Sequence, residues 1–197
     1  GGNWKLRRAS QVAATAEQLS QPGFADASWL VATVPGTVLT SYLNAGAIAD
    51  PNFGDYQAMA SDSFFYSDFW YRNEFKAPKF DATGRAWLDF SGINWKADVY
   101  LNGTKLGRIE GAFQRARFDV TRLLRPGVAN ALAVRIEKPA TPGSVKEKTF
   151  QSPGLNGGAL GADNPTFHAS IGWDWIPTVR GRNMGLWNTV ALNFTGQ

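Results

Sequence analysis

Between Trp4 and Phe194 the chain breaks into short runs of alternating apolar and polar residues, with turn formers recurring every eight to twelve positions. Period-two alternation puts every other side chain on one face of a strand, and short strands at this spacing leave two architectures, a β-sandwich or a barrel. The pattern predicts strands at Trp4–Ala9, Phe69–Phe75, Arg85–Phe90, Ala97–Leu101, Lys105–Ile109, Phe118–Val120, Asn130–Glu137 and Trp187–Phe194. In the second of these, Phe69, Tyr71, Asn73 and Phe75 share one side, and Trp70, Arg72 and Glu74 the other. Asn102-Gly103 is the strongest hairpin signal, because both central residues of a type I′ turn need positive φ. Its glycosylation sequon, Asn102-Gly103-Thr104, is therefore spent on the turn; Asn193-Phe194-Thr195 is a second sequon.

Two regions depart from the strand pattern. Thr37 to Ala45 carries Val38, Leu39, Tyr42 and Leu43 at helical spacing, with Thr37 as N-cap and Gly46 beyond the end, and reads as one short amphipathic helix. Lys138 to Pro165 is rich in Gly, Pro, Ser, Asn and Ala and has no periodicity. A stretch of that length inside a compact domain is expected to be a functional loop or a contact surface.

Composition narrows the function classes. Hydrophobic residues at 44% and charged residues at 18% allow a substantial core, and 21 Gly with 10 Pro favour turns over helices. Residues 1–197 read as one domain. The net charge of +4 comes from scattered residues, apart from Arg7-Arg8 and the Arg180/Arg182 pair, so no nucleic-acid partner is expected. With no cysteine there is no disulfide or thiolate chemistry, and His168 alone cannot build a zinc site. His168 reads as a turn histidine, with a ligand or base role as the alternative. No apolar run approaches a membrane span. The chain opens on Gly1-Gly2-Asn3 without Met or signal peptide and is expected to be a trimmed sequence.

The chemistry concentrates in residues 170–187, which hold three tryptophans, one carboxylate, two arginines and an amide among glycines and a proline. Flat apolar faces beside planar hydrogen-bonding groups suit a sugar ring, apolar on its faces and hydroxylated at its edge. Asp174 is the leading candidate for a hydroxyl contact, flanked by Trp173 and Trp175 and followed by Arg182 and Asn183. The alternative is an ion pair from Asp174 to Arg180 or Arg182 that holds the loop. In an extended segment Trp173 and Trp175 share a side opposite Asp174, so at least one of them is expected to brace the loop. Asp50, Asn52 and Asp55 lie on a Pro/Gly loop after the helix and are weighed as substrate contacts against a local Asx-turn. Their spacing lacks the central Gly and later Glu of an EF-hand, and no metal or cofactor is expected.

The motifs, in order, resemble the N-terminal sugar-binding domain of glycoside hydrolase family 2. They are Val34-Pro35-Gly36-Thr37-Val38, Asp50-Pro51-Asn52-Phe53-Gly54-Asp55, Phe69-Trp70-Tyr71-Arg72 and Leu88-Asp89-Phe90-Ser91-Gly92-Ile93. Then come Ala97-Asp98-Val99-Tyr100-Leu101-Asn102-Gly103, Phe118-Asp119-Val120-Thr121, Trp173-Asp174-Trp175 and Arg182-Asn183-Met184-Gly185-Leu186-Trp187. The Asp50 loop with Trp173-Asp174-Trp175 looks most like the β-mannosidase and exo-β-glucosaminidase branches. The resemblance implies an all-β, galactose-binding-like β-sandwich (jelly roll) with one short helix and a long Gly/Pro-rich loop. It also implies an exo-glycosidase of β-mannosidase, exo-β-glucosaminidase or β-galactosidase type, in which the sandwich packs beside a catalytic (β/α)8 barrel of the same full-length chain and shapes the entrance for a non-reducing terminal sugar.

In such enzymes two barrel glutamates act with retention, roughly 5–5.5 Å apart. A barrel takes about 250 residues, so this chain has no room for one and is expected to be inactive alone. Asn73-Glu74 matches the dipeptide of the family's acid/base but lies inside a sandwich strand, so it reads as coincidence. The resemblance further implies a periplasmic or secreted protein. An independent carbohydrate-binding module and a purely structural packing domain are the competing readings.

Overall fold

The computed structural model describes residues 2–54, 56, 67–80, 83–138, 140, 144–146, 151, 157–160 and 184–195. Its larger sheet contains β1 (Trp4–Arg8), β2 (Leu30–Val31), β3 (Phe69–Lys76), β5 (Lys96–Leu101), β6 (Thr104–Glu110) and β8 (Ala129–Ile136). Facing it is a sheet of β4 (Arg85–Phe90), β7 (Ala116–Asp119) and β11 (Val190–Thr195). The strand orders are β2-β1-β3-β8-β5-β6 and β11-β4-β7, with every pairing antiparallel. The predicted strands are all present, Arg85–Phe90 matching at both ends and the others with no end displaced by more than three residues.

Alternation works as expected on the inner faces. Leu6, Phe69, Tyr71, Val99, Leu101, Leu132, Val134 and Ile136 of one sheet pack with Ala86, Leu88 and Phe90 of the other in one apolar core. This is the all-β sandwich of galactose-binding-like type that the motifs implied. The hairpin joining β5 and β6 pairs Leu101 with Thr104 across Asn102 (φ 50°) and Gly103 (φ 87°). Asn102 is itself buried: its amide donates to Leu123 O and Asn130 Oδ1, and its side-chain oxygen accepts from the Ala131 N–H. Its amide nitrogen is thus occupied by Leu123 and Asn130, partners outside the turn.

The outer face of the larger sheet holds a feature that alternation does not predict. Trp70 and Arg72 of β3 point away from the main core yet are buried, because residues 9–29 fold over them. That strap carries a second helix, α1 (Ala16–Leu19), in addition to the single helix expected. Thr15 caps it by accepting from the Gln18 N–H while the Gln18 side chain accepts from the Thr15 N–H, a capping box legible as Thr15-x-x-Gln18.

Arg72, 1% exposed, holds the strap in place. Its Nε donates to Leu19 O at 2.9 Å and its Nη2 to Gln21 O and Glu74 at 2.8 Å, while Nη1 pairs with Asp26. The predicted loop at 138–165 also contains structure: β9 (Ser144–Lys146) and β10 (Gly157–Leu160) pair as a two-stranded ladder.

Arg72→Leu leaves two carbonyls and two carboxylates without their shared donor. It should lower unfolding free energy by about 3 kcal/mol in urea titration; an unchanged midpoint would show the strap held by apolar contact alone.

Ion pairs also set the response to acid. Arg72 holds the Glu74 carboxyl below its ordinary 4.5, helped by the Gly23 N–H. Arg117 holds Asp89 below 3.8, and Arg108 holds Glu137 below 4.5. Carboxyls depressed in the fold contribute stability above their unfolded values, lost as pH falls through the folded ones. The urea midpoint should therefore be flat between about pH 7 and about pH 5 and drop below about pH 4. A midpoint that climbs on acidification would contradict this.

Candidate functional site

The helix expected at Thr37–Ala45 is α2 (Val38–Asn44). Thr37 caps it, accepting from the Thr40 N–H at 3.1 Å, and Gly46 beyond its end has φ 68°. Val38, Leu39 and Ser41 face inward, and Tyr42 meets Phe69 edge-on at 6.3 Å, so α2 lies over the inner face of β3.

The first turn of a helix leaves N–H groups without intrahelical partners. Here the Val38 N–H donates to Met184 O, and the Gly36 N–H just before the cap donates to Leu186 O, both at 2.8 Å. From the other side Gly185 exchanges hydrogen bonds with Asn94 at 2.9 and 3.0 Å. Met184 and Leu186 are buried.

Gly185 fits only as glycine. Its φ is 139°, and a Cβ there would stand 2.6 Å from the Tyr71 hydroxyl and 3.0 Å from Gly36 O. The Tyr71 hydroxyl is fully buried, and burial holds its pKa well above the ordinary tyrosine range. Ser41 and the Leu186 backbone act in the opposite direction, without closing a hydrogen bond of standard geometry. Trp187, 39% exposed, lays its indole where a Cβ on Gly92 would stand, 2.7 Å away. In the motif Arg182–Trp187, Met184, Gly185 and Leu186 are therefore anchors, and residues 182–183 directly precede the anchored point.

The far end of α2 delivers the Asp50 loop. The Asp50 carboxylate accepts from the Asn52 N–H at 2.9 Å and from the Asn52 side-chain amide at 3.1 Å. The Phe53 N–H donates to Asp50 O, and the intervening Pro51 is buried. The Asx-turn weighed for this loop is thus present, with Asp50 and Asn52 bonded to each other. Phe53, which the sequence reading did not single out, is 70% exposed and stacks on Tyr56 with ring centroids 6.1 Å apart. No signal in the sequence separates it from a loop aromatic that folds inward.

Of the remaining site candidates, Trp173, Asp174, Trp175, Arg182, Asn183 and Asp55 lie outside the described residues, as do Arg180 and His168. Glu74 is where coincidence would leave it, on β3, paired with Arg72 and accepting from the Gly23 N–H at 2.9 Å. Among the described residues no three acidic or histidine side chains gather as metal ligands. A depression of about 530 Å³ lies under the strap, lined in part by Trp70, Tyr100, Asp68 and Arg135. Both aromatics are nearly buried there, and Asp68 is paired with Arg135.

A two-sheet antiparallel sandwich with a helix clamped beside its last segment defines a galactose-binding-like domain. Residues 4–188 match the family described as glycosyl hydrolase 2 galactose-binding domain-like. The mannosylglycoprotein endo-β-mannosidase of Lilium longiflorum is 34% identical over 202 residues, covering 98% of this chain and 20% of the relative. The exo-β-D-glucosaminidase of Streptomyces avermitilis is 30% identical over 197 residues, covering 98% and 19%. In the crystal structure of Amycolatopsis orientalis exo-chitosanase, the matching region superposes with a TM-score of 0.75 at 27% identity, covering 100% of this chain and 20% of that one. The chain belongs to glycoside hydrolase family 2, as its galactose-binding-like domain. It spans about a fifth of the length of the curated relatives it matches.

Gly185→Ala forces a Cβ against the Tyr71 hydroxyl and Gly36 carbonyl in a backbone region hostile to side chains. It should cost about 2 kcal/mol or more. Tyr71→Phe, which removes a hydroxyl without a well-formed bond, should cost under about 1 kcal/mol. Urea unfolding of both variants checks the pair of values; equal losses would mean the hydroxyl, not the close approach, holds the clamp.

Proposed function

We propose that this chain is the non-catalytic sugar-recognition domain of a retaining exo-glycosidase of β-mannosidase or exo-β-glucosaminidase type. In that role it packs on the catalytic barrel of the same full-length protein and shapes the entrance for a terminal sugar. The observation that carries the reading is the clamp of Gly36 and Val38 onto Met184 and Leu186. It ties the helix that delivers the Asp50 loop to Met184–Leu186, which directly follow the tryptophan-rich segment in sequence. The last described anchor after the tryptophan-rich stretch and the helix leading to the Asp50 loop are thereby joined, which supports a shared rim on this reading.

On this reading Asp174 accepts hydroxyl hydrogen bonds from the terminal sugar, Arg182 and Asn183 supply edge contacts, and at least one of Trp173 and Trp175 braces the loop. Asp50 acts through the turn it closes with Asn52, and Asp55 stands next along that loop. Hydrolysis belongs to the barrel's glutamates. On this reading the protein works in the periplasm or outside the cell.

Asp174→Ala in the full-length enzyme should reduce kcat/KM by about tenfold to a hundredfold, the loss of one or two hydrogen bonds to a charged acceptor. Unchanged turnover and substrate preference would make the domain a packing element. A monosaccharide affinity in the low micromolar range for this chain alone would make it an independent binding module.

A further inference from the structure

The strap over the outer face of the larger sheet is held differently at its ends and in its middle. Backbone holds the ends: the Ala9 N–H donates to Asp68 O, β2 pairs with β1, and the Ala32 N–H donates to Trp4 O. Between them, among the described residues, each backbone–backbone hydrogen bond of residues 13–29 closes inside the strap. Leu19 N–H to Thr15 O, Gln21 N–H to Gln18 O and Trp29 N–H to Asp26 O are examples. Side chains make the joins to the sheet. Arg72 takes Leu19 O, Gln21 O and Asp26, and Glu74 accepts from the Gly23 N–H. Ser20 Oγ accepts from the Gly103 N–H at 3.1 Å, and Gln21 Nε2 donates to Asn102 O at 3.3 Å.

Burial follows the same division. Leu19 and Trp29 pack with Trp70, Tyr100 and Ala133 in an apolar cluster separate from the main core. The leading half of the strap is only partly seated: the depression of about 530 Å³ is lined by Val12, Ala14 and Ala16 on the strap side and by Trp70 and Tyr100 on the sheet side. A segment with its own apolar cluster, its own internal hydrogen bonds and no backbone ladder to the sheet meets the conditions for opening below the free energy of global unfolding. We propose that residues 13–29 open and close as one unit while both sheets stay folded, hinged at Ala9–Gln11 and Leu30–Val31, with Arg72 as the latch. Opening uncovers the outer faces of Trp70 and Tyr100. Closing returns two carbonyls and Asp26 to one buried guanidinium together, which couples the two halves of the strap.

Hydrogen exchange of the full-length protein, read by mass spectrometry at urea concentrations below the unfolding transition, tests the unit. Peptides spanning 15–21 and 22–29 should share one opening equilibrium. It should be about tenfold or more above the opening that exposes β5, with a shallower urea dependence because less surface is uncovered. Val134→Ala, a change in the main core on the other face of the sheet, should speed exchange in β5 about tenfold and leave the strap within about twofold. Arg72→Leu should speed exchange in the strap about a hundredfold. The unit is overturned if Val134→Ala speeds strap and sheet alike, since the strap then opens only by global unfolding. It is overturned if 15–21 and 22–29 diverge, which is independent fraying, or if strap exchange ignores Arg72→Leu, which removes the latch. The first two readings use no Arg72 variant and decide the case even where that variant does not fold.

Discussion

The backbone clamp on residues 184–186 is the constraint around which the rest of the molecule is arranged. This segment is buried but belongs to neither large sheet, so its peptide groups need partners from elsewhere. They find them in the N–H groups of Gly36 and Val38, in front of and inside the first turn of α2, and in Asn94 on the opposite side. The unsatisfied end of a short helix and the unsatisfied carbonyls of an irregular core segment thus complete one another. Side chains then allow the approach: Gly185 because it has none, Leu186 and Met184 because they fill the core beneath.

The outer face of the larger sheet is organised on a different principle. There a charged side chain does the joining, because Arg72 has enough donors to satisfy two strap carbonyls and two carboxylates at once. The guanidinium also lies over the Phe24 ring at 5.7 Å, so the strap is bound by charge and by aromatic contact. On the smaller sheet Arg117 makes a two-pronged pair with Asp89 at 2.7 and 2.9 Å and covers Trp87. Among the described residues, Arg72, Arg85, Lys96, Lys105, Arg108, Arg117 and Arg135 are all paired with carboxylates of the same chain.

The parts of the fold legible in the sequence are those set by neighbours along the chain. Period-two alternation located the strands, Asn102-Gly103 located the hairpin, and Thr37 with Gly46 bracketed α2 to within a residue. The strap helix was present in the sequence as a four-residue capping box but is too short to show helical periodicity. The β9–β10 ladder was hidden because strands of three and four residues are too short to show apolar alternation. For the candidate site, the Asp50 loop was legible as a turn. Its most exposed group was not, since an aromatic in a loop reads the same whether it ends up buried or open.

What the sequence determined by itself was the inventory: an all-β sandwich, a capped helix, and carboxylates, amides and aromatics suited to a sugar. Local sterics and side-chain periodicity act over a few residues and leave their mark there. What only the tertiary structure decided was which of those groups are consumed internally. Arg72 goes to the strap and Asp26, and Asn102 to Leu123 and Asn130, while Phe53 stays open. The physical reason is that the buried Arg72 and Asn102 groups must take the partners the topology brings to them, and Leu19, Asp26, Leu123 and Asn130 are distant in sequence.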